Sequence, residues 1–319
     1  MAVLYKYMSY IDDYLSDPTI KLSPPSLLND PFESQDVVDM KRFIYESYLA
    51  SDNRAVYVDG KKVSESRAKR IIENAPMNVV NTSGVISLSE SNRSLLMWAH
   101  YANQHKGIVI GLEDDFLYDE LKNTPCSSRL IFEPKPIKIS YDTIRFDLTD
   151  FESFPESRHD IAKILAMKLL TTKSDDWLYE KEHRCIVPIG IADKIIYTGK
   201  IADRTWKVKN YISNKQIRIN GITKKVTVSD DIEYKSPVYK WLSRDDNFLF
   251  LKRISPKKIK SIYFGVRAHD DDIANMMKTI SRNKRMLGHI KVYKYELCDR
   301  QFSIIKEQIP SDFHITYLR

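Results

Sequence analysis

Two carboxylates separated by a single residue could act together on one ligand. They are Glu180 and Glu182, in the segment Trp-Leu-Tyr-Glu-Lys-Glu-His-Arg that ends at Arg184. On an extended segment, side chains at i and i+2 point to the same side, so both acids and Arg184 would share one face. A carboxylate there can stabilise a developing cation or accept a proton, and Arg184 can fix its geometry. A surface strand with alternating charges would have the same pattern.

A second group of candidates lies in a compact run of predicted elements. The sequence predicts a strand at 85–88, a helix at 93–104 and a further strand at 108–112. Ser91 or Asn92 could cap the helix at its N-terminus. The free amides of such a terminus can receive a phosphate, so this turn is a candidate for binding an anionic ligand.

The same run carries side chains that could contact a flat ligand. Ser87 and Ser89 lie at the end of the predicted strand, and Trp98, Tyr101 and His105 follow at helical spacing. The three rings would share one helix face, where they could stack on a heterocycle. The alternative is that Trp98 is a core residue and His105 a surface histidine.

The N-terminal part of the chain supplies further polar candidates. Lys6 follows Tyr5 on a predicted first strand, so a cation and a phenol could reach one cleft. The motif Asn-Asp-Pro-Phe-Glu then runs from Asn29 to Glu33 and has the composition of a turn. We expect a rigid loop held by Phe32, or a loop that lines the cleft with Asn29 or Glu33.

Composition and element order predict an α+β protein with one elaborated domain over residues 1–319. The chain is 43% hydrophobic and 29% charged, which is an ordinary globular mixture. A helical insertion is expected at about 37–75 and a β-rich basic insertion at about 195–250. No apolar run reaches the roughly 20 residues of a membrane-spanning helix, so no membrane is expected. Three scattered cysteines and the lack of signal-peptide features predict a cytoplasmic protein without a zinc site.

Positive charge is concentrated in the C-terminal third. Residues 200–300 contain 24 Lys and Arg against 11 Asp and Glu, a balance of +13, whereas the whole chain carries +7. A basic region of this kind favours nucleic acid as a partner. Solvated surface lysines would produce the same counts.

The ordered motifs also carry a family resemblance. They are LYKY, LNDPFE, GVISLSE, LLMWAHYANQHKGIVIG, WLYEKEHRCIV and KSIYFG, and they extend over most of the chain. In this order they resemble an uncharacterised bacterial domain family that is associated with abortive-infection phage defence. The resemblance implies a toxin-type effector that a cognate antitoxin or chaperone could hold inactive.

A more distant similarity is to ADP-ribosyltransferases such as the DarT-like toxins. It implies an α+β fold with a split mixed and antiparallel sheet, and NAD as substrate. The basic C-terminal third then suggests RNA or single-stranded DNA as the acceptor. The similarity implies roles for residues already described. Tyr5 or Lys6 would be the first-strand NAD contact, and Ser87 and Ser89 would lie near the ribose or nicotinamide. Trp98 or Tyr101 would stack on the nicotinamide, and Glu182 would be the catalytic residue with Glu180 as its partner. The first strand lacks the usual Arg or His, and Leu replaces the usual Thr between the serines.

Two other functions fit the same residues. Asp175 and Asp176, together with Glu180 and Glu182, could hold magnesium in a metal-dependent nuclease. Alternatively, the cleft could belong to a non-enzymatic antitoxin or sensor that binds a nucleotide or a partner.

Overall fold

The computed structural model describes residues 2–50, 55–122, 131–151, 153, 157–200, 205–229 and 237–310. Within these ranges the protein is a mixed α+β structure, as expected from the sequence. Its strands are β1 (Val3–Met8), β2 (Thr19–Leu22), β3 (Tyr57–Val58), β4 (Lys61–Lys62), β5 (Ser83–Ser89), β6 (Ile108–Glu113), β7 (Glu133–Lys138), β8 (Ser140–Tyr141), β9 (Thr172–Lys173), β10 (Glu182–Pro188), β11 (Lys194–Tyr197), β12 (Ile217–Ile219), β13 (Lys225–Val228), β14 (Phe248–Arg253), β15 (Ile259–Phe264), β16 (Lys291–Leu297) and β17 (Ile304–Gln308).

The helices are mostly short and lie between the strands. They are α1 (Val38–Ala50), α2 (Glu65–Glu73), α3 (Ala75–Val80), α4 (Leu95–Tyr101), α5 (Tyr118–Leu121), α6 (Arg158–Thr171), α7 (Trp206–Ser213), α8 (Pro237–Leu242), α9 (Asp270–Arg282) and α10 (Lys284–Leu287). Within the described ranges, none of these helices has the length and apolar character needed to cross a bilayer.

Eight strands form a large mixed sheet in the order β17-β16-β15-β6-β1-β5-β10-β7. Neighbouring strands are antiparallel except β15 and β16, which are parallel. The central strands β5, β6 and β10 are almost continuously buried. Strands covered on both faces are expected to be apolar throughout, which explains sequences such as Ile-Val-Ile in β6.

The large sheet opens between β1 and β5. Strand β1 pairs with β6 over six residues, but it pairs with β5 at one position, Tyr5 opposite Ser89. On its other side, strand β5 pairs with β10 over seven residue pairs. The two halves of the sheet therefore diverge on one side of the Tyr5–Ser89 pair, and the divergence leaves room for a cleft.

A second, antiparallel sheet has the order β12-β13-β11-β14-β2. It contains the strands of the region expected to be β-rich at 195–250, together with β2 from the N-terminal part of the chain. A single bridge between Ser23 and Val85 links it to the large sheet. Apolar side chains of both sheets, including Leu22 and Ile86, pack in one core cluster.

Helices cover the opposite face of the β5–β10 half of the large sheet. The buried side of α6, including Leu165 and Leu169, packs with Val85 and Ile186 in a second core cluster. Helix α1 joins that cluster through Met40 and Ile44 in its own buried face.

The helix expected at 93–104 is shorter than predicted. Helix α4 ends at Tyr101, and Asn103, Gln104 and His105 all have positive φ. Its N-cap is Ser94, whose hydroxyl accepts from the amide of Met97, rather than Ser91 or Asn92. Apolar spacing alone predicts a helix across this turn, because it does not reveal consecutive left-handed residues.

The turn after α4 packs closely against Gly265, the residue that follows β15. A Cβ atom added to Gly265 would lie 2.1 Å from the carbonyl oxygen of His105, which is backbone and cannot rotate away. The Gly265 amide also donates to the Gly107 carbonyl oxygen at 3.1 Å, which fixes its position. Glycine is therefore required here by close approach.

We expect Gly265→Ala to lower the free energy of unfolding by about 1–3 kcal/mol, because the added methyl must displace backbone. Gly221→Ala is the matched control, since a Cβ there would meet nothing within 4 Å. Urea denaturation of both variants and the wild type measures the difference. Equal stabilities of the two variants would contradict the assigned contact.

Candidate functional site

A cavity of about 450 Å³ lies where β1 and β5 diverge. Strands β1, β5 and β10, helix α4 and the loop before α1 all contribute to its walls. The sequence proposed twelve side chains for the cleft, including Trp98 and His105. Ten of them line this cavity: Tyr5, Lys6, Asn29, Glu33, Ser87, Ser89, Tyr101, Glu180, Glu182 and Arg184.

The strand register aligns three of these residues on one face of the sheet. Tyr5 lies opposite Ser89, and Ser89 lies opposite Glu182. Because neighbouring positions of a strand alternate between faces, Lys6 starts from the other face. Its ammonium crosses the opening and donates to the Ser87 carbonyl oxygen at 3.0 Å. The cavity thus has walls from both faces of the sheet.

Arg184 is the buried cation that organises the acidic side of the cavity. Its Nε donates to Oε1 of Glu182 at 2.8 Å, and its Nη2 donates to Oε2 at 2.9 Å. Nη2 also donates to Glu33, and Nη1 donates to the Leu170 carbonyl oxygen at 2.8 Å. A fork of this kind holds a carboxylate in one orientation, so Glu182 cannot swing freely.

Lys173 is a second buried cation, and it lies between the two candidate carboxylates. Its Nζ is 2.6 Å from Oε2 of Glu180 and 3.4 Å from Oε2 of Glu182. The Tyr101 hydroxyl donates to the other oxygen of Glu180. Both acids therefore have fixed partners, and Tyr101 connects helix α4 to Glu180 in the segment that precedes β10.

The two carboxylates meet by a different local route from the one expected. Glu180 ends a short 3₁₀ helix, and Lys181 adopts a left-handed conformation before β10 begins at Glu182. The expectation of one extended segment was therefore wrong. The turn at Lys181 still brings both acids to Lys173, because the Ser89 hydroxyl holds the Glu180 carbonyl oxygen at 2.6 Å.

Burial and charge shift the pKa values of these groups in different directions. Burial disfavours the charged form of Glu182, but Arg184 and Lys173 outweigh it and lower the pKa of this carboxyl to about 2. Burial dominates at Glu33 and raises its pKa, in spite of Arg184. Burial also lowers the pKa of Lys6 to about 8, against the opposing effect of Glu182.

Two of the predicted site residues lie outside the cavity. Trp98 is fully buried, with its ring edge-on to Tyr7 and Tyr295, and its indole N–H donates to the Asn92 carbonyl oxygen. His105 follows the end of α4 and stacks on the far side of Trp98. The expectation that Trp98, Tyr101 and His105 share one helix face was wrong, because the helix ends at Tyr101.

The loop from Asn29 to Glu33 is held differently from the expectation. Phe32 is 55% exposed and does not anchor the loop. Instead, Arg145 donates to the Phe32 carbonyl oxygen at 2.7 Å and lies over its ring. Asp30 accepts from the Phe32 amide, and the loop presents Asn29 and Glu33 to the cavity.

Residues 97–185 match the model of a protein family of unknown function (DUF2971). This match runs from α4 into β10, and it includes Tyr101, Glu180, Glu182 and Arg184. The coarser part of the family resemblance, similarity to an uncharacterised family, is thereby confirmed. Neither a curated protein nor a solved structure matches the chain.

Sequence reasoning missed two cations of the cavity, Lys173 and Lys21. The signal for Lys173 was available, since two closely spaced buried acids require a compensating cation. Several lysines near Glu180 were equally suitable in sequence, however. Lys173 differs from these lysines in being buried, and it lies on β9, which pairs in parallel with β8.

The four carboxylates proposed for a magnesium site do not converge. Asp175 and Asp176 are exposed, whereas Glu180 and Glu182 are buried against Lys173. Among the residues that the structure describes, no group of three or more His, Cys, Asp or Glu side chains could hold a metal ion.

The lowered pKa of Glu182 predicts a pH-dependent contribution to stability. A carboxyl with a lower pKa in the folded state stabilises the fold above its unfolded pKa, and the contribution is lost as the pH falls towards about 2. We expect Glu182→Gln to lower the free energy of unfolding by about 3 kcal/mol at pH 7, because Arg184 loses its charged partner. The difference from wild type should shrink between about pH 5 and pH 2.

Urea denaturation at several pH values measures this difference, with the exposed Glu307→Gln as control. A difference that stays constant down to pH 2 would show that Glu182 is not held as an ion in the folded protein.

Proposed function

We propose that this protein is an NAD-dependent ADP-ribosyltransferase that modifies nucleic acid as a phage-defence toxin. One observation carries the proposal. Cationic, hydroxyl and carboxylate side chains, led by Lys6 and Glu182, line a single cavity at the opening of a split sheet. The cavity volume of about 450 Å³ lies within the range of roughly 300–1,000 Å³ typical of small-molecule sites.

The distribution of charge suggests how NAD would lie in the cavity. Lys6 and Lys21 supply positive charge to the cavity wall, and Lys6 also lies within electrostatic range of Glu182. A pyrophosphate suits the two lysines, because ammonium groups stabilise phosphate oxygens. The nicotinamide ribose would then lie near Tyr101 and Glu182, where its hydroxyls could donate to carboxylate oxygens.

In the proposed reaction, the bond between the ribose C1′ and the nicotinamide nitrogen breaks. The electron pair goes to that nitrogen, which neutralises the pyridinium, and the ribosyl group becomes cation-like. Glu182 is ionised and held rigidly by Arg184, so its negative charge needs no reorientation as the cation develops. The acceptor nucleophile then bonds to C1′ and releases its proton.

The acceptor and the biological setting rest on charge and resemblance. The basic balance of residues 200–300 supports a nucleic acid acceptor. A toxin of this kind would act inside the cell and would be held inactive by a cognate antitoxin or chaperone.

One observation favours a second candidate, a non-enzymatic nucleotide sensor or antitoxin. Both carboxylate oxygens of Glu182 already accept from Arg184, and Lys173 is near. These cations reduce the negative potential that Glu182 offers to a ribosyl cation. A protein that binds NAD or a related nucleotide without cleaving it would be compatible with such pairing.

Glu182→Gln separates the two candidates. We expect it to reduce NAD consumption roughly 100-fold or more, because a lost electrostatic contact to the transition state costs rate. Calorimetric NAD binding should persist, and label transfer to nucleic acid should survive a chelator. Glu307→Gln serves as the exposed control, and thermal unfolding checks that each variant is folded.

Wild-type protein that binds NAD but never consumes it would support the sensor. Cleavage of nucleic acid that requires a metal ion, without label transfer, would reject the transferase.

The lowered pKa of Lys6 predicts pH-dependent binding of ADP-ribose. Protonated Lys6 is the form that attracts a pyrophosphate, so affinity should fall as the pH rises through about 8. Lys6→Met should weaken binding about tenfold or more at pH 7 and remove this dependence. Calorimetric titration from pH 6.5 to 9.5 measures both effects, and an unchanged pH profile in the variant would contradict the role of Lys6.

A further inference from the structure

One exposed tryptophan, one half-buried tryptophan and two cations form a cluster on the region around the five-stranded sheet. The cluster, named here the α7–α8 surface, consists of Trp206 and Lys207 on α7, Trp241 on α8 and Arg244 just after it. Trp206 is 72% exposed, which is unusual for the largest apolar side chain. Val208 is buried in the core from the same helix, so α7 is anchored while Trp206 projects outward.

The rings on this surface carry cations on their faces. Nζ of Lys207 lies 3.6 Å from the Trp241 ring centroid and 5.9 Å from the Trp206 centroid. The Arg244 guanidinium carbon lies 4.8 Å from the Trp241 centroid. The Lys207 ammonium therefore lies near both indoles, so a ligand that binds here would lie next to a positive charge.

A basic groove adjoins the other end of α7. It has a volume of about 450 Å³ and is lined by Ile212, Lys215, Arg218 and Ser229, among others. Helix α7 has eight residues, so it spans roughly 12 Å from Trp206 to this groove. Trp206 at the start of α7 and the cations Lys215 and Arg218 beyond its end are thus separated by about the length of this helix, which a few nucleotides can span.

We propose that the α7–α8 surface binds single-stranded nucleic acid, with a base stacked on Trp206 and phosphates near Lys207, Lys215 and Arg218. Unpaired bases offer the flat faces that tryptophan accepts without sequence preference. The phosphates match the positive balance of residues 200–300. The inference rests on the proposed function only in making this strand the acceptor, because the binding itself requires no catalysis.

The choice of a single strand over other partners follows from the side chains. A duplex hides its base faces, so the exposed indole of Trp206 would gain little from it. A membrane surface would require a broader apolar face than α7 has, since its exposed positions beside Trp206 include Lys209 and Asn210.

The test is binding of fluorescein-labelled oligothymidylate and oligouridylate, about 15 nucleotides long, followed by anisotropy. Trp206→Ala should weaken binding roughly 5- to 150-fold, and Trp206→Phe should restore part of it because stacking persists. Lys207→Gln should reduce the dependence of log affinity on log salt by about 0.7, which corresponds to one phosphate contact. Phe302→Ala, which removes another fully exposed aromatic, is the matched control and should bind as wild type.

Equal affinities of Trp206→Ala and Phe302→Ala would overturn the proposal, and so would Trp206-dependent binding to anionic vesicles without binding to either oligonucleotide. Preference for one of the two oligonucleotides would support it and identify the strand as DNA or RNA. NAD consumption, measured in the same proteins, keeps the two proposals separate. Loss of oligonucleotide binding in Trp206→Ala supports the α7–α8 surface even if no protein in the series consumes NAD.

Discussion

The buried pairing of Arg184 with Glu182 is the interaction on which the site depends. A guanidinium that is completely buried is costly unless its donors are satisfied, and Arg184 satisfies them with Glu182, Glu33 and the Leu170 carbonyl. These partners come from β10 itself, from the loop before α1 and from α6. One side chain thereby joins three distant parts of the sequence at the wall of a cavity.

The opening between β1 and β5 places this network at the wall of a cavity. Strands β1 and β5 diverge beyond the Tyr5–Ser89 pair, and Glu182, opposite Ser89 on β10, lines the cavity beside this divergence. The same divergence lets Lys6 reach across from the other face. Rigid carboxylates and a weakly partnered lysine in one cavity are suited to a ligand with a cationic centre and a phosphate.

The large sheet and the five-stranded sheet have distinct parts in the proposed activity. The proposed NAD site lies in the split of the large sheet, and the proposed docking site for the strand lies on helices beside the second sheet. Apolar side chains of the two sheets, Leu22 and Ile86 among them, pack in the same core cluster.

The sequence alone determined the element types and most of the site. Alternation and β-branched composition identified β1, β5, β6 and β10, and several of the polar residues singled out on them line one cavity. Such local patterns persist because each strand must bury its apolar side chains wherever the chain runs. Tertiary structure decided the rest: Trp98 became core, His105 left the helix, and Lys173 became the central cation. These outcomes depend on contacts between residues far apart in sequence, such as Gly265 with His105. Burial by distant elements does not produce a periodic pattern in the local sequence, so local patterns cannot predict it.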